Sequence, residues 1–424
     1  MQNIYFETYG CALNRSDSET MKGILEKNGF NIVSDIEKSD VIIINSCTVK
    51  LSTFNKFKFL LKKYSHLKNK KLIIAGCVSQ TNLDMLKKAN VSAIGVDHIS
   101  DIVEVVKETL SGKIIHLVGR EKNVTRLNLS KNRENPVIEI VPISQGCLGN
   151  CSYCKVKLAR GDLKSYSVAK IVKQVKDAAA DGVKEIWLTS QDNGCYGLDI
   201  NTNIIELLEK LVTIKGNFKI RVGMANPNFV YKYLDGFLKI FDDPKMFRFI
   251  HIPLQAGSNK VLRDMRRKYT KEEFIEVVTK LRSRYPDISI STDIICGFPT
   301  ETEADFKETL DVVKKLSFDT INISKYSSMD QTDASKMKQL TSEIIKDRSK
   351  RMTDLYHKTA KNRNQFWMSW EGLILIDEYG KDDTAIGRNE CYRPVIVDNS
   401  ENEIELGDYI FTRVNKVTSF DLRN

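Results

Sequence analysis

Hydrophobic and polar residues alternate along this chain in three ways, and each way predicts a different kind of domain. In residues 1–116, short strand-like runs (IYFET, VIIIN and LIIAG) alternate with amphipathic helical stretches. This alternation predicts a small α/β domain with a parallel sheet. The following residues, 117–136, are mostly polar and charged and end in a proline, so we interpret them as a linker.

From residue 137 to residue 362 the alternation of strands and helices restarts and continues through six units. The predicted strands are VIEIVPI, KEIWLTS, FKIRVGM, RFIHIPL, ISISTDII and DTINISKY. Because a full barrel needs eight units, six predict a partial (β/α)6 barrel. Residues 363–424 contain short β-rich runs separated by turn residues, which predict a small all-β barrel. The predicted fold class is therefore α/β with an all-β C-terminal domain.

Composition and charge restrict the range of possible functions. Hydrophobic residues make up 42% and charged residues 28% of the 424 positions, which is typical of a soluble globular protein. The apolar runs are far shorter than the roughly 20 residues of a membrane span, and the N-terminus lacks the pattern of a secretory signal. We therefore expect a cytoplasmic protein with no membrane partner. The net charge of +10 favours a polyanionic partner such as nucleic acid.

The strongest chemical signal is the run QGCLGNCSYC, which spaces Cys147, Cys151 and Cys154 as C-x3-C-x2-C after the first barrel strand. Cysteines of a cytosolic protein are reduced, so metal binding explains them better than disulfides. Three thiolates can hold three irons of a four-iron cluster and leave the fourth iron open to S-adenosylmethionine. Zinc is the alternative, but it prefers four ligands, and a fourth local Cys or His is missing.

A second group of cysteines lies in the N-terminal domain. Cys11, Cys47 and Cys77 each follow a predicted parallel strand within a few residues. Loops at the carboxyl ends of such strands converge on one crevice, where three cysteines could bind a second cluster. Three buried small apolar side chains are an equally good explanation of the spacing alone.

These motifs resemble those of a known family. QGCLGNCSYCKVKLARGDLKSY is similar to the cluster loop of the radical S-adenosylmethionine (radical SAM) methylthiotransferases. YGCALNRSDSE, NSCTVK and AGCVSQ resemble their N-terminal domain, and residues 363–424 resemble the small TRAM RNA-binding domain. The ARG-x-L-x-SY continuation and VGMANP resemble the archaeal and eukaryotic type, the tRNA N6-threonylcarbamoyladenosine methylthiotransferases.

The resemblance implies two [4Fe-4S] clusters. Cys147, Cys151 and Cys154 would hold the cluster that cleaves S-adenosylmethionine, and Cys11, Cys47 and Cys77 the auxiliary cluster that delivers sulfur. The implied product is 2-methylthio-N6-threonylcarbamoyladenosine at position 37 of tRNA. The adenine C2–H is not acidic enough for a protein base, so a 5′-deoxyadenosyl radical must act on it.

The implied partners are the tRNA anticodon loop around adenosine 37 and an electron donor protein. Two alternatives keep the chemistry but change the target, to isopentenyladenosine-37 or to a ribosomal protein aspartate. An alternative of another class is a non-catalytic iron–sulfur or zinc RNA-binding protein.

Other candidate site residues have weaker support. Tyr153, Gln191 and Asp192 are predicted to bind the cofactor, and Asp293 is a candidate for hydrogen bonding or proton handling. Each could instead be an ordinary loop or capping residue.

The predicted RNA contacts are basic side chains, because phosphate is bound chiefly by Arg and Lys. In the C-terminal region seven Lys and Arg face twelve Asp and Glu, so RNA binding there needs a local patch. The candidates are Arg266, Arg267 and Lys268 in the barrel and Arg388, Arg393, Arg413 and Lys416 in the C-terminal region. A solvated helix face is equally consistent with the barrel segment.

Overall fold

A computed structural model of the chain describes residues 1–49, 51–67, 69–121, 124 and 126–424. The N-terminal domain is a six-stranded parallel sheet with the strand order β2-β1-β3-β4-β5-β6. Its strands are β1 (Asn3–Tyr9), β2 (Asn31–Val33), β3 (Val41–Ser46), β4 (Lys71–Ala75), β5 (Ser92–Ile94) and β6 (His116–Leu117). Its helices are α1 (Ala12–Lys27), α2 (Leu51–Ser65), α3 (Cys77–Thr81), α4 (Leu83–Lys88) and α5 (Ile102–Leu110).

Helices cover both faces of this sheet because β3 is apolar on both faces. Successive strand residues point to opposite sides. Ile43 packs in one buried cluster with residues of α1 and α5, whereas Ile42 and Ile44 pack in another with residues of α2. The chain order reverses between β1 and β3, and ligands of such sheets bind beyond the carboxyl ends of the strands at this point.

The central domain has six parallel strands in two three-stranded sheets, which confirms the predicted partial barrel. The strands are β7 (Ile138–Pro142), β10 (Glu185–Thr189), β11 (Lys219–Val222), β12 (Phe249–His251), β13 (Ser289–Cys296) and β14 (Thr320–Lys325). A parallel bridge between Ile220 and Met246 joins its two halves. Two short strands, β8 (Ser144–Gln145) and β9 (Lys164–Ser165), pair beside the first barrel strand.

The helices of the central domain follow its strands along the chain. They are α6 (Val156–Arg160), α7 (Val168–Ala180), α8 (Ile204–Val212), α9 (Pro227–Lys232), α10 (Leu234–Ile240), α11 (Asn259–Asp264), α12 (Lys271–Arg284), α13 (Glu303–Leu316) and α14 (Ser342–Asn364). Short 3-10 helices cover Ile36–Lys38, Ile99–Asp101, Asn193–Cys195, Asp333–Lys336 and Gln365–Trp367. In the part of the chain that the structure covers, no helix combines the length and the apolar character needed to cross a membrane.

The C-terminal domain is a mainly antiparallel six-stranded sheet. Its order is β18-β15-β16-β17-β20-β19, and its strands are β15 (Glu371–Tyr379), β16 (Thr384–Arg388), β17 (Pro394–Asp398), β18 (Tyr409–Arg413), β19 (Lys416–Val417) and β20 (Leu422–Arg423). The turn between β16 and β17 inserts Tyr392 against Phe247 and Phe249, with ring centroids 4.8 and 5.2 Å apart. This aromatic contact joins the domain to the barrel.

Two residues of the segment 117–136, which its polarity predicted to be a linker, are buried. Arg126 and Leu127 are 1% and 2% exposed. The Arg126 guanidinium donates to Asp17 and to the Val96 carbonyl in the N-terminal domain, and to Gln145 Oε1 in the barrel. The polar residues of this segment therefore connect the two domains. The domain boundaries at 116, 136 and 362 stay predictions.

Candidate active site

The loop of the first cysteine triad follows β7 and β8 and is tied to its surroundings by the backbone. Gly146 has φ +77°, and an added Cβ would lie 2.0 Å from the Asp162 carbonyl oxygen, so only glycine fits there. The Gly146 N–H donates to Gln191 Oε1 at 2.7 Å, and the Cys147 N–H donates to the Gly161 carbonyl at 3.2 Å. These contacts hold the loop at the carboxyl end of the first barrel strands.

Each sulfur of the first triad accepts a hydrogen bond. The donors are Gly149 N to Cys147 Sγ (3.2 Å), Arg267 Nη1 to Cys151 Sγ (3.1 Å) and Val156 N to Cys154 Sγ (3.4 Å). Burial raises the pKa of Cys147 to about 11 and that of Cys154 to about 12. An added Cβ at Gly149 would lie 3.2 Å from Cys147 Sγ, so glycine keeps the space beside the sulfurs open. Three partly exposed thiols in one loop, with N–H donors directed at them, fit a [4Fe-4S] cluster.

The candidate cofactor residues surround this loop. The Tyr153 ring packs edge-on against Phe298, with ring centroids 6.3 Å apart. The Gln191 Oε1 atom accepts the hydrogen bond from the Gly146 N–H. Asp192 is 1% exposed and accepts from Asn226 Nδ2 at 2.6 Å and from two backbone N–H groups at 3.0 Å. Asp192 therefore orients Asn226, which in turn accepts a hydrogen bond from Arg267. Cofactor binding by Tyr153, Gln191 and Asp192 stays a prediction.

Asp293 lies on β13, which ends on the same side of the barrel. Its Oδ1 accepts a hydrogen bond from Asn322 Nδ2 at 2.8 Å and lies 3.1 Å from His251 Nε2. The side chain is 28% exposed. This arrangement places a carboxylate beside a histidine. Its catalytic role stays a prediction.

The structure brings the three cysteines of the N-terminal domain together. Cys11, Cys47 and Cys77 follow the adjacent strands β1, β3 and β4. The Cys47 thiol donates to the Cys77 sulfur, and this hydrogen bond lowers the pKa of Cys77 and raises that of Cys47. Cys11 Sγ and Cys77 Sγ lie 3.7 and 3.8 Å from Asn14 Oδ1. Soft sulfur donors gathered at the switch point of an open sheet fit a second iron–sulfur cluster.

The sequence analysis missed Arg160, which lies in contact with this second triad. Arg160 is the last residue of α6, the helix that follows the first cysteine loop, and it is 2% exposed. Its Nη2 donates to Asn14 Oδ1 at 2.8 Å and to Asp17 Oδ2 at 2.9 Å. Electrostatic contacts link the guanidinium to the sulfurs of Cys11 and Cys77. The only sequence signal was its position shortly after the first triad.

Direct packing joins the elements that carry the two triads. Helix α6 contacts α3, the helix that begins at Cys77. Cys77, Val96 and Ala159 form a small buried apolar cluster between them. The two cysteine sites are therefore neighbours across the domain interface.

The predicted RNA-binding residues of the barrel divide into two groups. Arg266 and Lys268 are exposed, and Arg266 pairs with Asp333 at 2.7 Å. Arg267 instead points into the site, toward Cys151 and Asn226.

The predicted C-terminal patch is not assembled on one surface. Arg413 and Lys416 are exposed, whereas Arg388 is 16% exposed and pairs with Asp377 at 2.9 Å. Arg393 is 2% exposed and donates to Asn364 Oδ1 at 2.6 Å. Because these two guanidiniums satisfy buried acceptors, they are not available to phosphate groups in this conformation.

Comparisons with known proteins agree with this arrangement. Residues 141–313 match the Radical SAM superfamily, and residues 3–96 match the "Uncharacterized protein family UPF0004". A protein of Pyrococcus abyssi named "Probable threonylcarbamoyladenosine tRNA methylthiotransferase" is 39% identical over 94% of each chain. The human threonylcarbamoyladenosine tRNA methylthiotransferase is 39% identical over 94% of this chain and 69% of its own.

Among solved structures, the radical S-adenosylmethionine methyltransferase TsrM of Kitasatospora setae, with cobalamin and a [4Fe-4S] cluster bound, is similar in fold. The TM-score is 0.58 at 14% identity, over 79% of this chain and 77% of that one. At this identity the similarity concerns the fold alone.

Proposed function

The chain belongs to the threonylcarbamoyladenosine tRNA methylthiotransferase family, and we propose that it converts N6-threonylcarbamoyladenosine at position 37 of tRNA to the 2-methylthio derivative. It is a radical SAM enzyme. The proposal includes two [4Fe-4S] clusters, one on each cysteine triad, and S-adenosylmethionine as cofactor. The observation that carries it is the packing of α6, which follows the first triad, against α3, which begins at Cys77, with Arg160 of α6 beside the second triad. Adding sulfur to a carbon that a radical has activated requires the two centres to be close.

The residues of the first site would hold and orient the cofactor. When bound, the two clusters supply the electron that cleaves S-adenosylmethionine and the sulfur that is transferred. The Gly146–Gln191 hydrogen bond fixes the loop of Cys147, Cys151 and Cys154. A chain of hydrogen bonds runs from the Cys151 sulfur through Arg267 and Asn226 to the Asp192 carboxylate. A preorganised chain of this kind positions reactants and excludes water.

On the substrate side, Asp293 would hydrogen-bond the cofactor or the nucleoside, with its own position set by Asn322 and His251. The exposed basic residues Arg266, Lys268, Arg413 and Lys416 are the candidates for tRNA phosphate contacts. The electron donor protein and the cytoplasmic location stay predictions.

Nucleoside analysis of modified tRNA tests this function. The protein is reconstituted anaerobically with iron and sulfide and given S-adenosylmethionine, a reductant and tRNA that carries N6-threonylcarbamoyladenosine-37. Digestion and mass spectrometry should detect the 2-methylthio nucleoside, and Cys151→Ala should abolish it. A parallel reaction uses tRNA with isopentenyladenosine-37, and another uses the ribosomal protein. Product from either of these substrates, with none from the threonylcarbamoyl tRNA, would overturn the assignment.

A further inference from the structure

Arg160 has two buried guanidinium nitrogens, with three N–H groups between them, that no nitrogen or oxygen atom in the described part of the chain accepts. Its Nη2 donates to Asn14 and Asp17, whereas Nε and Nη1 are buried without a nitrogen or oxygen partner, and the guanidinium also hydrogen-bonds the Cys77 sulfur. Buried guanidinium donors are costly when unpaired, so acceptors are expected beside them. The neighbouring groups with which this guanidinium interacts are Cys77, Cys11 and Asp17. Sulfur atoms of a bound cluster would supply the missing acceptors.

The charges around Arg160 also leave a positive excess next to the second triad. The Asp17 carboxylate is shared, because Oδ2 accepts from Arg160 and Oδ1 accepts from Arg126. Asp97, a further buried carboxylate, forms its ion pair with Arg120, at 3.9 Å. One guanidinium charge is therefore not neutralised by a carboxylate. Thiolates that bind iron are negative, so they match this excess.

We propose that Arg160 donates hydrogen bonds to the cluster held by Cys11, Cys47 and Cys77 and raises its reduction potential. This inference rests on the proposed function, since it assumes the second cluster. A positive charge and hydrogen bonds to sulfur stabilise the reduced, more negative state of such a cluster. Arg160 comes from the helix after the first cysteine loop. A residue that follows the first cysteine loop in the chain would thus tune the cluster of the second triad.

The test uses the full chain with Cys147→Ala/Cys151→Ala/Cys154→Ala, so that any cluster bound by this protein is held by the second triad. Iron content and the midpoint potential, followed by electron paramagnetic resonance, are measured in this background and with Arg160→Met or Arg160→Lys added. Arg160→Met should make one-electron reduction about tenfold less favourable, which is a midpoint about 59 mV lower. Arg160→Lys keeps the charge and should recover most of that shift.

Arg126→Gln is the matched control, because Arg126 donates to the same Asp17 carboxylate but turns toward Val96 and Gln145. It should move the midpoint much less than Arg160→Met. An unchanged midpoint in Arg160→Met, or an equal shift in Arg126→Gln, would overturn the inference. Loss of iron from both Arg160 variants but not from Arg126→Gln would also overturn it, since Arg160 would then only hold the fold. If the background protein itself binds no cluster, the proposed function fails first.

Discussion

Glu185 should make the stability of the barrel fall as the pH rises. Ile186 and Leu188 of β10 pack with the helices, so Glu185 faces the interior of the barrel. Its Oε2 accepts from Trp187 Nε1 at 2.7 Å. Burial, and then the charge of Asp377, raise the pKa of Glu185 to about 8, although the Trp187 bond, Arg388 and Arg221 act in the opposite direction.

The sign and the size of the effect follow from proton linkage. Between the usual carboxyl pKa of about 4.3 and the folded value of about 8, the native state holds a proton that the unfolded state has lost. The free energy of unfolding therefore falls as the pH rises through this window, by at most about 1.4 kcal/mol per pH unit. Between pH 6 and pH 8 the wild-type protein should lose about 2 kcal/mol.

The Glu185→Gln variant keeps an acceptor for Trp187 and removes the titration. We expect its Tm, relative to the wild-type Tm, to rise by about 4 °C between pH 6 and pH 8, taking about 2 °C per kcal/mol for a domain of this size. Scanning calorimetry at both pH values measures this. Glu206→Gln, on the exposed face of α8, is the control and should give no such change. Tm profiles of Glu185→Gln and wild type that stay parallel with pH would refute the reasoning.

Three further variants test the site and its supports. Gly149→Ala puts a methyl group 3.2 Å from Cys147 Sγ, so iron at the first triad should fall while the second triad keeps about four irons, as an iron assay would show; full iron content would contradict this. Tyr392→Ala removes the ring from between the barrel and the C-terminal sheet and should cost about 3–5 kcal/mol, measured as a lower Tm, whereas an unchanged Tm would exclude this contact as a support. Arg266→Glu/Lys268→Glu should weaken tRNA binding by about tenfold and reduce its salt dependence in filter-binding assays, and equal affinity would remove these residues from the interface.

Periodicity predicted the long elements of this fold and missed the short or polar ones. Five of the six barrel strands lie within two residues of their predicted positions, and β12 ends three residues before its predicted end. β2, β5 and β6 have only two or three residues each, too few for a period to show. α1 begins with polar turns that are buried against other domains, so apolar periodicity does not mark its start at Ala12.

Cysteine spacing after strands predicted the residues of the candidate site, but their neighbours depend on tertiary packing. Asn14 and Arg160 lie 146 positions apart, yet they share a hydrogen bond beside the second triad. In the same way, composition alone cannot distinguish the exposed Arg413 from Arg393, which is buried by acceptors of the barrel and α14. Charge identifies candidate cations, and only burial decides which of them can reach a phosphate.

The most direct test of two neighbouring clusters is the iron and sulfide content after anaerobic reconstitution. The wild-type protein should bind about eight irons, as two four-iron clusters require. Cys11→Ala/Cys47→Ala/Cys77→Ala and Cys147→Ala/Cys151→Ala/Cys154→Ala should each bind about four. If the wild-type protein binds only about four irons and the first of these variants binds as many, Cys11, Cys47 and Cys77 hold no cluster, and methylthio transfer by two centres is contradicted.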